Sequence, residues 1–198
     1  GVCILRIEDT DQKREVENGI EGIINDFKNL GITFDEGPSF GGDFGPYVQS
    51  ERGDIYRAFV RRLIEEDKAY PCFCTPEELD EQRNIQELEK ARIGYYGPWA
   101  RCRSLSMEEV IEKVKNGEKY IIRLKSPGNF NNKIVLHDLI KGNIEMPEND
   151  QDIVILKSDN LPTYHFAHAI DDHLMHTTNV IRGDEWVASY PIHEQLFK

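Results

Sequence analysis

Two short apolar runs, each ending abruptly in charge, constrain this chain more than any other feature. Val2-Cys3-Ile4-Leu5-Arg6-Ile7 is β-prone and almost continuously apolar, as a buried strand is, and Glu8-Asp9-Thr10-Asp11 follows at once. Toward the other end, Asn179-Val180-Ile181-Arg182 reads as a strand closed by Gly183-Asp184-Glu185-Trp186, with a helix expected from about Glu185. Open α/β sheets bind ligands in the crevice outside the carboxyl ends of their strands, so both charged clusters are candidates for one site. The first can receive an ammonium or a hydroxyl, or it is a solvated turn capping the next helix. In the second, Arg182 suits a carboxylate clamped bidentately, or else pairs with Asp171 or Asp172.

Between these runs the pattern alternates. Val16, Ile20, Ile23, Ile24, Phe27 and Leu30 recur at helical spacing until Gly31. Ser50 is placed to cap a second helix with Ile55, Tyr56, Phe59, Val60, Leu63 and Ile64 on one face. A strand follows at Ala69–Phe73, which gives an α/β order. The texture then changes. Thr75-Pro76-Glu77-Glu78 and Ser106-Met107-Glu108-Glu109 are capping boxes opening polar helices. Residues 120–125, 133–137 and 152–157 read as strands between Gly, Pro and Asn turns. The expected organisation is a first part over 1–70, an inserted α+β unit over 71–160, and a return over 161–198.

Charge narrows the function. The 24 basic and 36 acidic residues leave a net charge of −12, which excludes a protein that coats nucleic acid by bulk charge. A nucleic-acid enzyme with local basic patches stays open. No run approaches the ~20 apolar residues of a membrane span, and the first residues lack the marks of a secretory signal. A soluble cytoplasmic protein is expected.

Cys72-Phe73-Cys74, with Cys102 beyond, can share a tetrahedral ion, for which Tyr95, Tyr96 or a water would supply the fourth ligand. Alternatively the two thiols flank a core phenylalanine. Cys3 reads as a core residue. His165, His168, Asp171, Asp172, His173 and His176 are rich in potential ligands but contain no H-E-x-x-H pattern, so they read as a hydrogen-bonded wall beside a pocket.

Leu5-Arg6-Ile7-Glu8-Asp9-Thr10-Asp11, Asp35-Glu36-Gly37-Pro38, Tyr47-Val48-Gln49-Ser50-Glu51-Arg52, Leu156-Lys157-Ser158-Asp159, Pro162-Thr163-Tyr164 and Val180-Ile181-Arg182-Gly183-Asp184-Glu185-Trp186 together resemble the bacterial glutamyl-tRNA synthetases of class I. The resemblance runs from Cys3 to Lys198. It implies a Rossmann-type α/β core, truncated at both ends, with an inserted α+β domain that binds the tRNA acceptor stem. It also implies glutamate activation by ATP with Mg²⁺, then transfer to the 3′ end of tRNA(Glu), by a monomer. Glutamyl-queuosine tRNA(Asp) synthetase-like enzymes share the architecture. A zinc-dependent tRNA-binding module without catalysis is a third reading.

Site residues follow from the resemblance where the motifs match. Glu8 would take the substrate ammonium, and Tyr164 and Arg182 the side-chain carboxylate. Arg14, Glu185 and Trp186 would lie near ATP and the tRNA end. Position 168 is histidine where some relatives have asparagine near the substrate. Zinc-binding relatives tend to place histidine two residues after the third cysteine, where this chain has Ser104, and Tyr96 is the substitute beside Cys72, Cys74 and Cys102. The family's His-Ile-Gly-His and Lys-Met-Ser-Lys-Ser motifs have no counterpart in the 198 residues, so no catalytic residue is assigned within them, and the isolated chain is expected to be inactive.

Overall fold

The computed structural model describes residues 1–11 and 18–198; Arg14 and Val16 therefore lie outside the described residues. Helix α1 (Gly19–Asn29) directs Ile20, Ile24 and Phe27 onto Leu5, Ile7 and Val48, and Gly31 turns the chain at φ 73°. Helix α2 (Gly53–Glu65) follows a 3-10 turn at Gln49–Arg52. Ser50 does not cap it. Its amide and hydroxyl instead donate to the Asp9 carboxylate at 2.8 and 2.6 Å, which ties the acidic cluster to this turn.

Strands β1 (Ala69–Cys72), β2 (Ile121–Leu124) and β5 (Val154–Leu156) form an antiparallel sheet in the order β1-β2-β5, with Ala69 opposite Leu124 and Cys72 opposite Ile121. Strands β3 (Lys133–Asp138) and β4 (Gly142–Pro147) make a separate hairpin. Strand β4 is additional to the strands expected from the sequence, although Ile144 and Met146 alternate with Asn143 and Glu145 as a half-buried strand requires. Helices α3 (Pro76–Leu88) and α4 (Met107–Lys115) both begin with complete capping boxes.

Helix α5 (Tyr164–Leu174) lies against the sheet, and α6 (Tyr190–Phe197) packs on α5 after a 3-10 turn at Asp184–Ser189. The main core joins Tyr56 and Val60 of α2 with Ala69, Ile122, Leu124, Ile155 and Leu156 of the sheet and Phe166 and Ile170 of α5. Burying each of these larger aliphatic or aromatic side chains contributes roughly 1.5–3 kcal/mol. This core draws on all three expected segments of the chain.

Both terminal strands differ from expectation. The opening run is extended and, among the described residues, makes only isolated parallel bridges, Ile4 with Glu36 and Ile7 with Val48, through bonds such as Leu5 N–H to Glu36 O at 2.9 Å. Cys3 is exposed rather than in the core, because its peptide groups are held by Asp35 and Glu36 of the following loop. Residues 179–182 form no strand: no backbone partner lies beside them among the described residues, and Ile181 is 94% exposed.

Candidate functional site

A buried carboxylate anchors the site. Asp171 on α5 accepts from Arg52 Nε at 2.8 Å, Gln49 Nε2 at 2.9 Å and Tyr56 Oη at 2.8 Å. Its neighbour Asp172 takes Arg6 Nη1 at 2.9 Å on one oxygen and His168 Nδ1 at 2.8 Å on the other. Arg6 reaches on to Glu8 Oε1 at 3.0 Å, leaving Glu8 Oε2 without a hydrogen bond among the described residues. Burial works against the Arg6 cation, but hydrogen bonds and charge from Glu8 and Asp172 outweigh it and raise its pKa. Burial likewise opposes the Asp172 anion, and His168 with Arg6 nevertheless hold its pKa below the usual carboxylate value.

Of these groups Arg6, Glu8 and Asp172 line a cleft of about 540 Å³, together with Leu5, Met175 and Arg182. Arg182 has no carboxylate within ion-pair distance among the described residues, since Asp171 and Asp172 are occupied by Arg52 and by Arg6 with His168. Aromatic rings surround it instead. Its guanidinium carbon lies 5.3 Å from the Tyr164 ring centre and 5.6 Å from that of Trp186, and Nη2 rests on His168. Burial lowers the Arg182 pKa; the positive charge of Arg6 adds to this, and Glu8 opposes it. The result is a cation without an anion partner among the described residues.

The structure thus brings Glu8, Arg182, Tyr164 and Trp186 to one region and adds Arg6, Asp172 and His168, to which the sequence reading gave no substrate role. The signal for Arg6 was its interruption of an apolar run. Glu185 is exposed and folds its carboxylate over Gly183, where a Cβ would come within 2.3 Å of Oε2. A larger hollow of about 640 Å³, beside Phe59, Leu63, Phe166 and Phe197, is lined by His173 of the expected histidine-rich wall but by none of Glu8, Tyr164, Arg182, Glu185, Trp186 or the cysteines.

The thiols form a second cluster. The Sγ atoms of Cys72, Cys74 and Cys102 lie within 4.8 Å of one another, those of Cys74 and Cys102 at 3.6 Å. Tyr95, not Tyr96, faces them: its Oη is 3.4 Å from Cys72 Sγ and 3.3 Å from Cys74 Sγ. Tyr96 turns away because its hydroxyl donates to Arg92 O at 2.9 Å and its ring lies under the Arg92 guanidinium. Hydrogen bonds from Cys102 and Cys74 hold the Cys72 thiol far below its ordinary pKa, which favours one thiolate in the group. Zinc–sulfur bonds of ~2.3 Å set tetrahedral edges near ~3.8 Å, so the donor set fits zinc.

The family described as tRNA synthetases class I (E and Q), catalytic domain, matches residues 1–198. The chain belongs to this class I synthetase family. Among similar proteins, the glutamate–tRNA ligase of Clostridium beijerinckii is 56% identical over 202 residues, covering 100% of this chain and 36% of that protein. That of Acetivibrio thermocellus is 49% identical and is covered to 37%. The chain therefore spans little more than a third of these relatives. A crystal structure of a glutamate tRNA ligase from Elizabethkingia meningosepticum, in complex with its amino acid, superposes with a TM-score of 0.90 at 42% identity, covering all of this chain and 40% of that one. These matches support the Rossmann-type class I synthetase core, and no described helix is long and apolar enough to cross a membrane.

Proposed function

We propose that this chain is part of the catalytic domain of a cytoplasmic, monomeric glutamate–tRNA ligase and holds its amino-acid pocket. The observation that carries the reading is Arg182, a half-buried guanidinium with no anion partner among the described residues, on the same cleft as Glu8. L-Glutamate supplies one ammonium and a distal carboxylate. Glu8, through Oε2, receives the ammonium. Arg182 takes the distal carboxylate through charge-assisted bonds, and Tyr164 adds a hydroxyl. Arg6 and Asp172 fix Glu8 and the cleft wall.

In the first step a glutamate α-carboxylate oxygen attacks the α-phosphorus of ATP, supplied with Mg²⁺, and pyrophosphate leaves. In the second a hydroxyl of the terminal ribose of tRNA(Glu) attacks the acyl carbon, and AMP leaves. Glu8 and Arg182 contribute by holding glutamate at both ends, which fixes the direction of its α-carboxylate. Arg14, Glu185 and Trp186 are assigned to the ATP and tRNA-end region, and residues 71–160 to the inserted acceptor-stem-binding domain, between 1–70 and 161–198.

A structural zinc ion belongs to the same proposal, held by Cys72, Cys74, Cys102 and Tyr95. It would crosslink the end of β1 to the loop that carries Cys102 and supply folding energy there. Calorimetric titration of the chain with L-glutamate tests the pocket: saturable binding of one glutamate is expected, and absence of heat and of competition would overturn the reading.

A further inference from the structure

The geometry points to His168 as a positioning residue that must be neutral, with its Nδ1 protonated, to seat the Arg182 guanidinium; the inference rests on the pocket reading above only for its substrate consequence. His168 is 1% exposed, on the inner face of α5. Its Nδ1 lies 2.8 Å from Asp172 Oδ2, a distance that requires the ring to donate there, because a carboxylate has nothing to give. Arg182 Nη2 is nearly equidistant from both ring nitrogens, at 2.9 Å from Nδ1 and 3.2 Å from Nε2. An in-plane lone pair would bring it close to one nitrogen alone. The guanidinium therefore rests over the imidazole face.

Tyr164 extends that surface, its ring 5.9 Å from His168 and inclined by only 12°. Trp186 supplies the next wall, 4.7 Å from Tyr164. A neutral π face attracts a cation, whereas an imidazolium would repel one. Asp172 is held in turn by Arg6, and Arg6 by Glu8. One chain of contacts thus runs from Arg182 through His168, Asp172 and Arg6 to Glu8, joining the two ends of the proposed pocket. His168 does not touch substrate in this account. It fixes where Arg182 points.

Nitrogen NMR on the unliganded 198-residue chain, labelled in histidine and arginine, tests this without reference to any ligand. A neutral His168 with Nδ1–H is expected; an imidazolium or an Nε2–H tautomer overturns the proposal. The Arg182 Nη resonances should be resolved in the wild type and in His168→Phe, which keeps a π face, and averaged in His168→Leu, which does not. Averaged resonances already in the wild type, or no change in His168→Leu, would contradict it. With glutamate, His168→Leu should weaken binding roughly tenfold and His168→Phe less than threefold. Equal losses in both variants would reduce His168 to a structural residue. Failure of the wild type to bind glutamate would instead sink the pocket reading, and the arginine resonances would still decide the seat.

Discussion

Arg52 Nε and Asp171 Oδ1 meet at 2.8 Å across 119 residues of sequence, both in the fully buried interior. This pair joins the turn before α2 to the middle of α5. Removing one partner strands the other charge, so Asp171→Ala should cost about 3–5 kcal/mol in urea unfolding. Tyr56→Phe deletes one bond to the same carboxylate and should cost about 1.5–3 kcal/mol. A loss below about 1 kcal/mol for Asp171→Ala would show that the pair does not hold these elements together.

The thiol cluster leads to an elemental result. Protein prepared without chelators should carry about one zinc per chain, with proton release on binding. Cys74→Ser should abolish tight binding and lower thermal stability. Tyr95→Phe should weaken binding, while Tyr96→Phe should leave it unchanged. Zinc-free protein of full stability would return the three cysteines to simple packing.

His193 supplies a pH dependence. Burial is the largest cause that pushes its pKa down to about 4, and the nearby Arg182 cation works in the same direction; His165, 3.0 Å away, is also lowered, chiefly by burial. The unfolded chain therefore binds a proton at His193 near its ordinary pKa of ~6.5 that the native state refuses. Stability rises with pH wherever the unfolded state holds more protons, so it should be full above ~6.5 and fall as pH drops toward 4. Urea midpoints at pH 7 and pH 5 should differ less for His193→Gln than for the wild type. Equal differences would assign the acid sensitivity to other groups.

What was legible in the sequence was mainly local. The capping boxes at Thr75 and Ser106 announce their helices because donor and acceptor lie three residues apart. The charged clusters at Glu8 and Arg182 stand out in the sequence and line one cleft, yet their strand context was not legible, since pairing depends on a distant neighbour. Asp171 illustrates the limit: its partners Gln49, Arg52 and Tyr56 lie more than a hundred residues away, and no periodicity reports them. Tyr95 and Tyr96 are adjacent with identical side chains; only the backbone decides which one faces the thiols.

The central claim is that Arg182 reads a distal carboxylate, and a glutamate–glutamine comparison tests it most directly. A guanidinium has only donors, so it pairs with both carboxylate oxygens but meets no acceptor on the NH₂ of an amide. Isothermal titration of the wild-type chain should show L-glutamate binding more tightly than L-glutamine. Arg182→Leu should weaken glutamate by roughly ten- to a hundredfold, the equivalent of ~1.5–3 kcal/mol, and bring the two ligands close together. Tyr164→Phe should cost less, since one neutral hydrogen bond is lost and the ring remains. Glutamate affinity unchanged in Arg182→Leu, or glutamine bound as well as glutamate by the wild type, would contradict the account.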